Sequence, residues 1–301
     1  MGAESSLVLH HDDTATAQQA LVAVLARVRA LESLFSLHLE TSALCRLNAS
    51  GELSDAPAPL LALLHQCRAL HAATDGAFDP AIQPLFALYA DHFGKPGADP
   101  RGPSPQSIAM TRTRTGFAGV HFGRTGVRFT RPGMALTLNG IAQGYITDQA
   151  TKVLKQYGLS HCLVNFGEYR ALGGHPSGRP WAIALSEPQA PWKVMETVTL
   201  SGGAIATSAG AGAQFDAAGR FSHLINPQSG RSATAIASVS VLATTATLAD
   251  ALSTALAVAP IEQTTQIMQR FADAGALVRW PNGRITRFRF PGPRKQTPEP
   301  V

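Results

Sequence analysis

The stretch Leu138-Asn139-Gly140-Ile141-Ala142-Gln143-Gly144-Tyr145 decides how the chain is read, because it runs from a strand-like segment directly into a helix. Upstream, Val127 to Leu138 reads as strand with a Pro132-Gly133 turn inside it. Downstream, Tyr145 to Tyr157 reads as helix, with Gly158 placed for a left-handed C-terminal cap. Two glycines in the turn allow a backbone to approach a ligand, and the free N–H groups of a helix start favour a phosphate. A glycine-bearing turn of this kind is more often only a turn.

Working outward, His161 to Phe166, Trp181 to Ser186, Glu196 to Leu200 and Ala237 to Ala243 are strand candidates. Thr247 to Val258 and Pro260 to Ala274 read as helices, the second opened by proline in its first turn. Leu277 to Trp280 and Arg284 to Phe290 suggest a hairpin about Asn282-Gly283. Toward the N-terminus, Ser6 to Leu9 is a short apolar stretch, and Asp12-Asp13-Thr14 offers oxygens to a helix start. Leu21, Val24, Leu25, Val28, Leu31 and Phe35 then recur at helical spacing, and Leu60 to Ala73 forms a further helix. From Gly94 to Pro105, seven of twelve residues are Gly or Pro, which makes that segment a loop. Strands and helices mix without regular βαβ alternation, so the expected class is α+β, with mixed or antiparallel sheets and packed helices. One domain is expected over 1–290, any division into lobes falling near 94–105, with a flexible tail over 291–301.

A chain of 301 residues with 45% hydrophobic content can bury a substantial core, which argues against general disorder. The net charge is +5, but only 15% of residues are charged and the one basic cluster is Arg279 to Lys295, so no nucleic-acid partner is expected. Cys45, Cys67 and Cys162 are too few and too far apart for a disulfide scaffold or a zinc module. Glu4 and His10 to Asp13 come too early for the apolar core of a signal peptide, so a leader or membrane anchor is expected only as a segment already lost. Walker-type GxxxxGK[ST], HExxH and GxSxG motifs are absent from the sequence, and Gly210-Ala211-Gly212 meets Phe215 where a dinucleotide fingerprint needs glycine.

Four segments can carry chemistry. Thr74-Asp75-Gly76-Ala77-Phe78-Asp79-Pro80 is either a turn with a capping aspartate or a rigid loop that grips a ligand. The strand-to-helix turn at 138–145 is the second. In Phe221 to Gly230, His223 stands in a strand-like run before a Pro/Gly turn, where a core role competes with a chemical one. Asp250 and Thr254 lie four residues apart on one helix face, so they either form a polar pair or give a hard cation a carboxylate and a hydroxyl together.

The order of these segments resembles the ApbE family, the FAD:protein FMN transferases. The series is Asp75-Gly76-Ala77-Phe78-Asp79-Pro80, Asn139-Gly140-Ile141-Ala142-Gln143-Gly144-Tyr145, Ser222-His223-Leu224-Ile225-Asn226-Pro227, then Ala249-Asp250-Ala251-Leu252-Ser253-Thr254-Ala255. Phe35-Ser36, Ser42 to Asn48, Leu163 to Gly167, Pro180-Trp181 and Ala206-Thr207-Ser208 add to it, and Met1-Gly2-Ala3 is similar to the family's first Met-Gly-Thr strand. The resemblance runs to about Phe290. It implies an ApbE-like, T-fold-related architecture and an Mg²⁺-dependent enzyme. Such an enzyme splits FAD at the pyrophosphate, attaches FMN by a phosphoester to a Ser or Thr of an acceptor flavoprotein, and releases AMP. It also implies roles: Asp250, Thr254 and the Ala142 carbonyl on the metal, assisted by Ser253, and His223 orienting or deprotonating the hydroxyl, with Asp250 also catalytic. Ala77, Phe78, Asp79, Asn139, Tyr145 and Leu224 would bind FAD, supported by Asp148. A periplasmic location follows from the same resemblance.

Three departures from the family pattern stand out. Gln143 stands where many members carry lysine, and His38 where an aromatic follows the first motif's serine. Glu168-Tyr169 replace Gly-Asp, and Gly167-Glu168-Tyr169-Arg170-Ala171-Leu172-Gly173 is similar to the branch tied to nitrous oxide reductase maturation. The alternatives are an FAD pyrophosphatase and a maturation protein that holds flavin without transferring it.

Overall fold

The computed structural model describes residues 5–290; Met1-Gly2-Ala3 and the tail 291–301 lie outside the described residues. In chain order the elements are β1 (Ser5–His10), α1 (Thr14–Phe35), α2 (Ala43–Ser50), β2 (Glu52–Leu53), α3 (Ala58–Ala73), α4 (Gln83–Phe93) and α5 (Pro105–Arg112). Next come β3 (Val120–Phe122), β4 (Val127–Phe129), α6 (Ala142–Gln156), β5 (His161–Phe166), β6 (Tyr169–Leu172), β7 (Trp181–Glu187), β8 (Ala190–Leu200) and β9 (Gly203–Ala209). The chain closes with β10 (Ser238–Ala243), α7 (Ala246–Val258), α8 (Ile261–Arg270), β11 (Gly275–Arg279) and β12 (Ile285–Phe288). Seven strands form one sheet in the order β1-β5-β6-β9-β10-β11-β12, and every neighbouring pair is antiparallel.

Successive strand residues point to opposite faces, and here both faces are covered. Val164, Ala204, Ala206, Val239, Val241, Ala276 and Val278 join the large apolar cluster under α1, α6 and α7. Their sequence neighbours Leu163, Ile205, Leu242 and Leu277 point the other way, onto the β7–β8 hairpin with Trp181, Ile183, Leu185 and Val198. A third cluster, with Leu85, Tyr89, Ile108 and Ile225, fastens α4 and α5 to the segment around Phe215 and Phe221.

Asp13 caps α1, its carboxylate accepting from the N–H groups of Ala15 and Thr16. Val24, Val28, Leu31 and Phe35 are buried, but Leu21 and Leu25 face solvent, so the apolar stripe is narrower than the periodicity suggested. The strand expected to run to Leu138 stops at Phe129. Beyond the turn the backbone is held by a side chain instead of a ladder: Asn48 Nδ2 donates to Leu136 O at 2.8 Å, and Leu136 N donates to Asn48 Oδ1 at 2.7 Å. The helix expected to reach Ala274 ends at Arg270, with Pro260 just outside its first turn. Among the described residues, no helix is long and apolar enough to cross a membrane.

Candidate active site

Two helices, α6 and α7, cross at the centre of the site. Gly144 makes the crossing possible, since a Cβ there would lie 2.2 Å from the carbonyl oxygen of Ala246. Each helix satisfies orphan N–H groups at the other's start. Asp148 of α6 accepts from Ala246 N at 3.0 Å, Thr247 N at 2.9 Å and the Thr247 hydroxyl at 2.6 Å. In return, Asp250 of α7 accepts from Gly144 N at 2.9 Å. Helix α7 is apolar on nearly every face because it is sandwiched between α6 and the strands β9 and β10. Asp250 is therefore 4% exposed. Burial, together with the charge of Asp148, pushes its carboxyl up to about 7 against the pull of the Gly144 N–H.

A cavity of about 420 Å³ opens beside this crossing. Asp250 and Thr254 form one wall. The fit at Gly140 is tight, because a Cβ would stand 3.0 Å from both the hydroxyl and the methyl carbon of Thr254. The lining continues where the chain turns between β5 and β6 at Gly167, whose φ of +101° favours glycine, and Glu168 follows it. Burial first, then the charge of Asp250, raises the Glu168 carboxyl well above its usual range. Strand β9 adds Thr207 and Ser208, the Ser208 hydroxyl lying 2.8 Å from that of Ser253 and 3.4 Å from that of Thr254.

The remaining walls are loops with fixed backbones. Asp79 Oδ1 accepts from Ala81 N at 2.8 Å and Oδ2 from Phe117 N at 3.2 Å, so both oxygens brace the loop that presents Ala77 and Phe78. Burial raises the Asp79 carboxyl, opposed chiefly by the nearby His71. His223 Nδ1 lies 3.0 Å from Ala213 O; as donor to that carbonyl it leaves Nε2 as the acceptor nitrogen.

Of the residues singled out in the sequence, Ala77, Phe78, Asp79, Asn139, His223, Leu224, Asp250 and Thr254 line this one cavity. Four others stand behind the lining. Tyr145 packs edge-on against Phe35 in the core at 5.8 Å, and Asp148 is occupied at the start of α7. Ser253 is buried between Ser208 and the carbonyl of Asp250, and Ala142 lies in the first turn of α6. His38 is exposed and outside the lining. Gln143, Glu168, Thr207 and Ser208 line the cavity without having been assigned roles. The signal for Glu168 was an acid directly after a strand glycine; Thr207 and Ser208 belong to β9, a strand too small in its side chains to show a period. Among the described residues no three His, Cys, Asp or Glu side chains form a ready metal cage. The oxygen donors are instead a mixed set of carboxylates and hydroxyls, which suits a hard cation that keeps waters and borrows ligand oxygens.

A match to the ApbE family spans residues 1–278. The FAD:protein FMN transferase of Klebsiella pneumoniae (strain 342) is 28% identical over 267 residues, covering 85% of this chain and 76% of that protein. That of Escherichia coli (strain K12) is also 28% identical, over 79% of this chain and 70% of its own length. The crystal structure of the ApbE protein from Thermotoga maritima superposes with a TM-score of 0.83 at 25% identity, over 95% of this chain and 97% of that one. The apo flavinyl transferase ApbE of Pseudomonas stutzeri gives 0.80 at 29% identity, over 96% and 92%. With the whole architecture and the family match in agreement, the chain belongs to the ApbE family.

Proposed function

We propose that the protein is an Mg²⁺-dependent FAD:protein FMN transferase. The observation that carries this reading is one of charge. The cavity is lined by Asp79, Glu168 and Asp250 and, among the described residues, by no Lys or Arg. Such a lining disfavours a bare pyrophosphate, because its carboxyls repel the phosphates when ionised and leave their charge uncompensated when protonated. A divalent cation removes that conflict. Asp250 and Thr254, with the carbonyl of Ala142 and support from Ser253, would hold it. When bound, Mg²⁺ supplies charge neutralisation on the pyrophosphate and orientation of the leaving phosphate.

The chain's own residues then divide the work. Ala77, Phe78, Asp79, Asn139 and Leu224 bind FAD, while Tyr145 and Asp148 hold α6 and α7 in place behind them. His223, through Nε2, orients the acceptor's Ser or Thr hydroxyl and takes its proton. The hydroxyl oxygen bonds to the phosphorus of the FMN half, the bridging P–O bond breaks, and AMP leaves with the electron pair. The Gly167 to Gly173 segment favours an acceptor in the nitrous oxide reduction system, and the family resemblance favours a periplasmic setting.

Incubation with FAD, Mg²⁺ and a candidate acceptor domain, followed by mass spectrometry, tests this. Transfer adds FMN to the acceptor and releases AMP, and Asp250→Asn abolishes both. AMP without any acceptor would mark a pyrophosphatase, and intact FAD under all conditions would mark a binding protein; either outcome overturns the reading.

A further inference from the structure

Glu168 has no place in the chemistry described so far, yet it is 8% exposed, lines the cavity and lies within electrostatic reach of Asp250. The one partner identified for its carboxylate among the described residues is a backbone N–H, that of Thr207. Burying a carboxylate costs several kcal/mol unless it is paired, and placing a second carboxylate nearby adds to that cost. Arg170, two residues on, is directed elsewhere: its Nε lies 3.5 Å from Asp148 and its Nη1 donates to the carbonyl of Thr244. The position from which a cation could have come is neutral. Gln143 lies against Gly167, its Nε2 2.6 Å from where a Cβ on that glycine would be, so its side chain reaches the residue adjoining Glu168.

We propose that Glu168 joins Asp250 as a second carboxylate ligand of the divalent cation, and that neutral Gln143 leaves that pair free to bind it. This rests on the reading above that a divalent cation serves the cavity. The donor types agree: two carboxylates and the hydroxyls of Thr254 and Ser208, all lining the one cavity, make an all-oxygen set for Mg²⁺ or Mn²⁺. With two carboxylates to exchange their protons for the cation, the site takes it before any nucleotide arrives.

The test is direct Mn²⁺ binding to the nucleotide-free protein, by titration calorimetry and by electron paramagnetic resonance of free Mn²⁺, with thermal melts recorded with and without Mn²⁺. Glu168→Gln, which keeps the side chain's shape, weakens Mn²⁺ binding by roughly tenfold or more and removes most of the Mn²⁺-induced rise in melting temperature. Gln143→Lys, which supplies an ammonium beside Glu168, weakens binding in the same direction. Asp250→Asn is the control for the underlying reading. If the unaltered protein binds no Mn²⁺, or Asp250→Asn binds it unchanged, the cation site itself is wrong. Binding lost in Asp250→Asn but unchanged in Glu168→Gln overturns the role of Glu168 alone.

Discussion

The backbone N–H of Gly144 donates to Asp250 across the crossing of α6 and α7, while four residues further along α6 Asp148 accepts from the first N–H groups of α7. Each helix thus caps the other. An N-terminus carries partial positive charge, so a carboxylate is favoured at both places. The same exchange places Asp250, which would otherwise be an unexplained acid in an apolar helix, at the wall of the cavity.

Gly144→Ala should separate the two helices. A methyl group cannot occupy a point 2.2 Å from the Ala246 carbonyl, and overpacking of this kind costs about 3 kcal/mol. Urea unfolding measures it; a loss below about 0.5 kcal/mol would mean that the crossing relaxes freely.

Asp148→Ala removes three hydrogen bonds from the start of α7 and leaves Arg170 without its carboxylate. Buried donors left unpaired cost about 1–3 kcal/mol each, so we expect a loss of about 3 kcal/mol after partial relaxation. Because α7 also carries Asp250 and Thr254, FAD turnover should fall with stability. Full turnover in a destabilised variant would refute the link.

His223→Gln should lower the rate of transfer to the acceptor by about 10² or more while changing FAD affinity little, because Nδ1 is engaged by Ala213 and Nε2 is the proposed proton acceptor. Single-turnover transfer and fluorescence titration of FAD separate the two effects. An equal loss of binding would assign His223 to flavin recognition.

The metal-free protein should lose stability as pH rises from about 4 to about 7. Asp250 has a folded-state pKa near 7 against an ordinary value of 3.8, so between these the native state binds the extra proton. Stability is then greatest below the lower value and falls until the upper one is passed. Glu168, also raised, acts in the same direction. Melting temperatures in chelator should show this decline, and saturating Mg²⁺ should reverse it increasingly at higher pH, since the cation competes with the proton. A flat profile in chelator would mean that neither carboxyl is shifted.

Long periodic elements were legible in the sequence: α1, α3, α6, α7 and the strand β5 all stand where their apolar spacing put them. The short helix α2 and the strands β6 and β9 were not, for a shared reason. Eight residues of α2, or seven small ones in β9, carry too little side-chain contrast to show a period, and β9 becomes a central strand only because β6 and β10 pair with it. Asn48 illustrates the same limit. It belongs to a recognisable motif, but its task of holding Leu136 across 88 positions exists only once the chain has folded.

The sequence by itself determined the class of fold, the order of the chemical segments and the family, because hydrophobic period, turn residues and motif order are local properties of the chain. The tertiary structure decided which polar residues share a cavity and which serve the frame. Asp148 and Asp250 are each the single acid of their helix, and Tyr145 and Asn139 belong to one motif. Yet Asp148 and Tyr145 are absorbed into packing while Asp250 and Asn139 line the site. That sorting depends on how closely α6 can approach α7 at Gly144, a distance set by contacts between residues about a hundred positions apart.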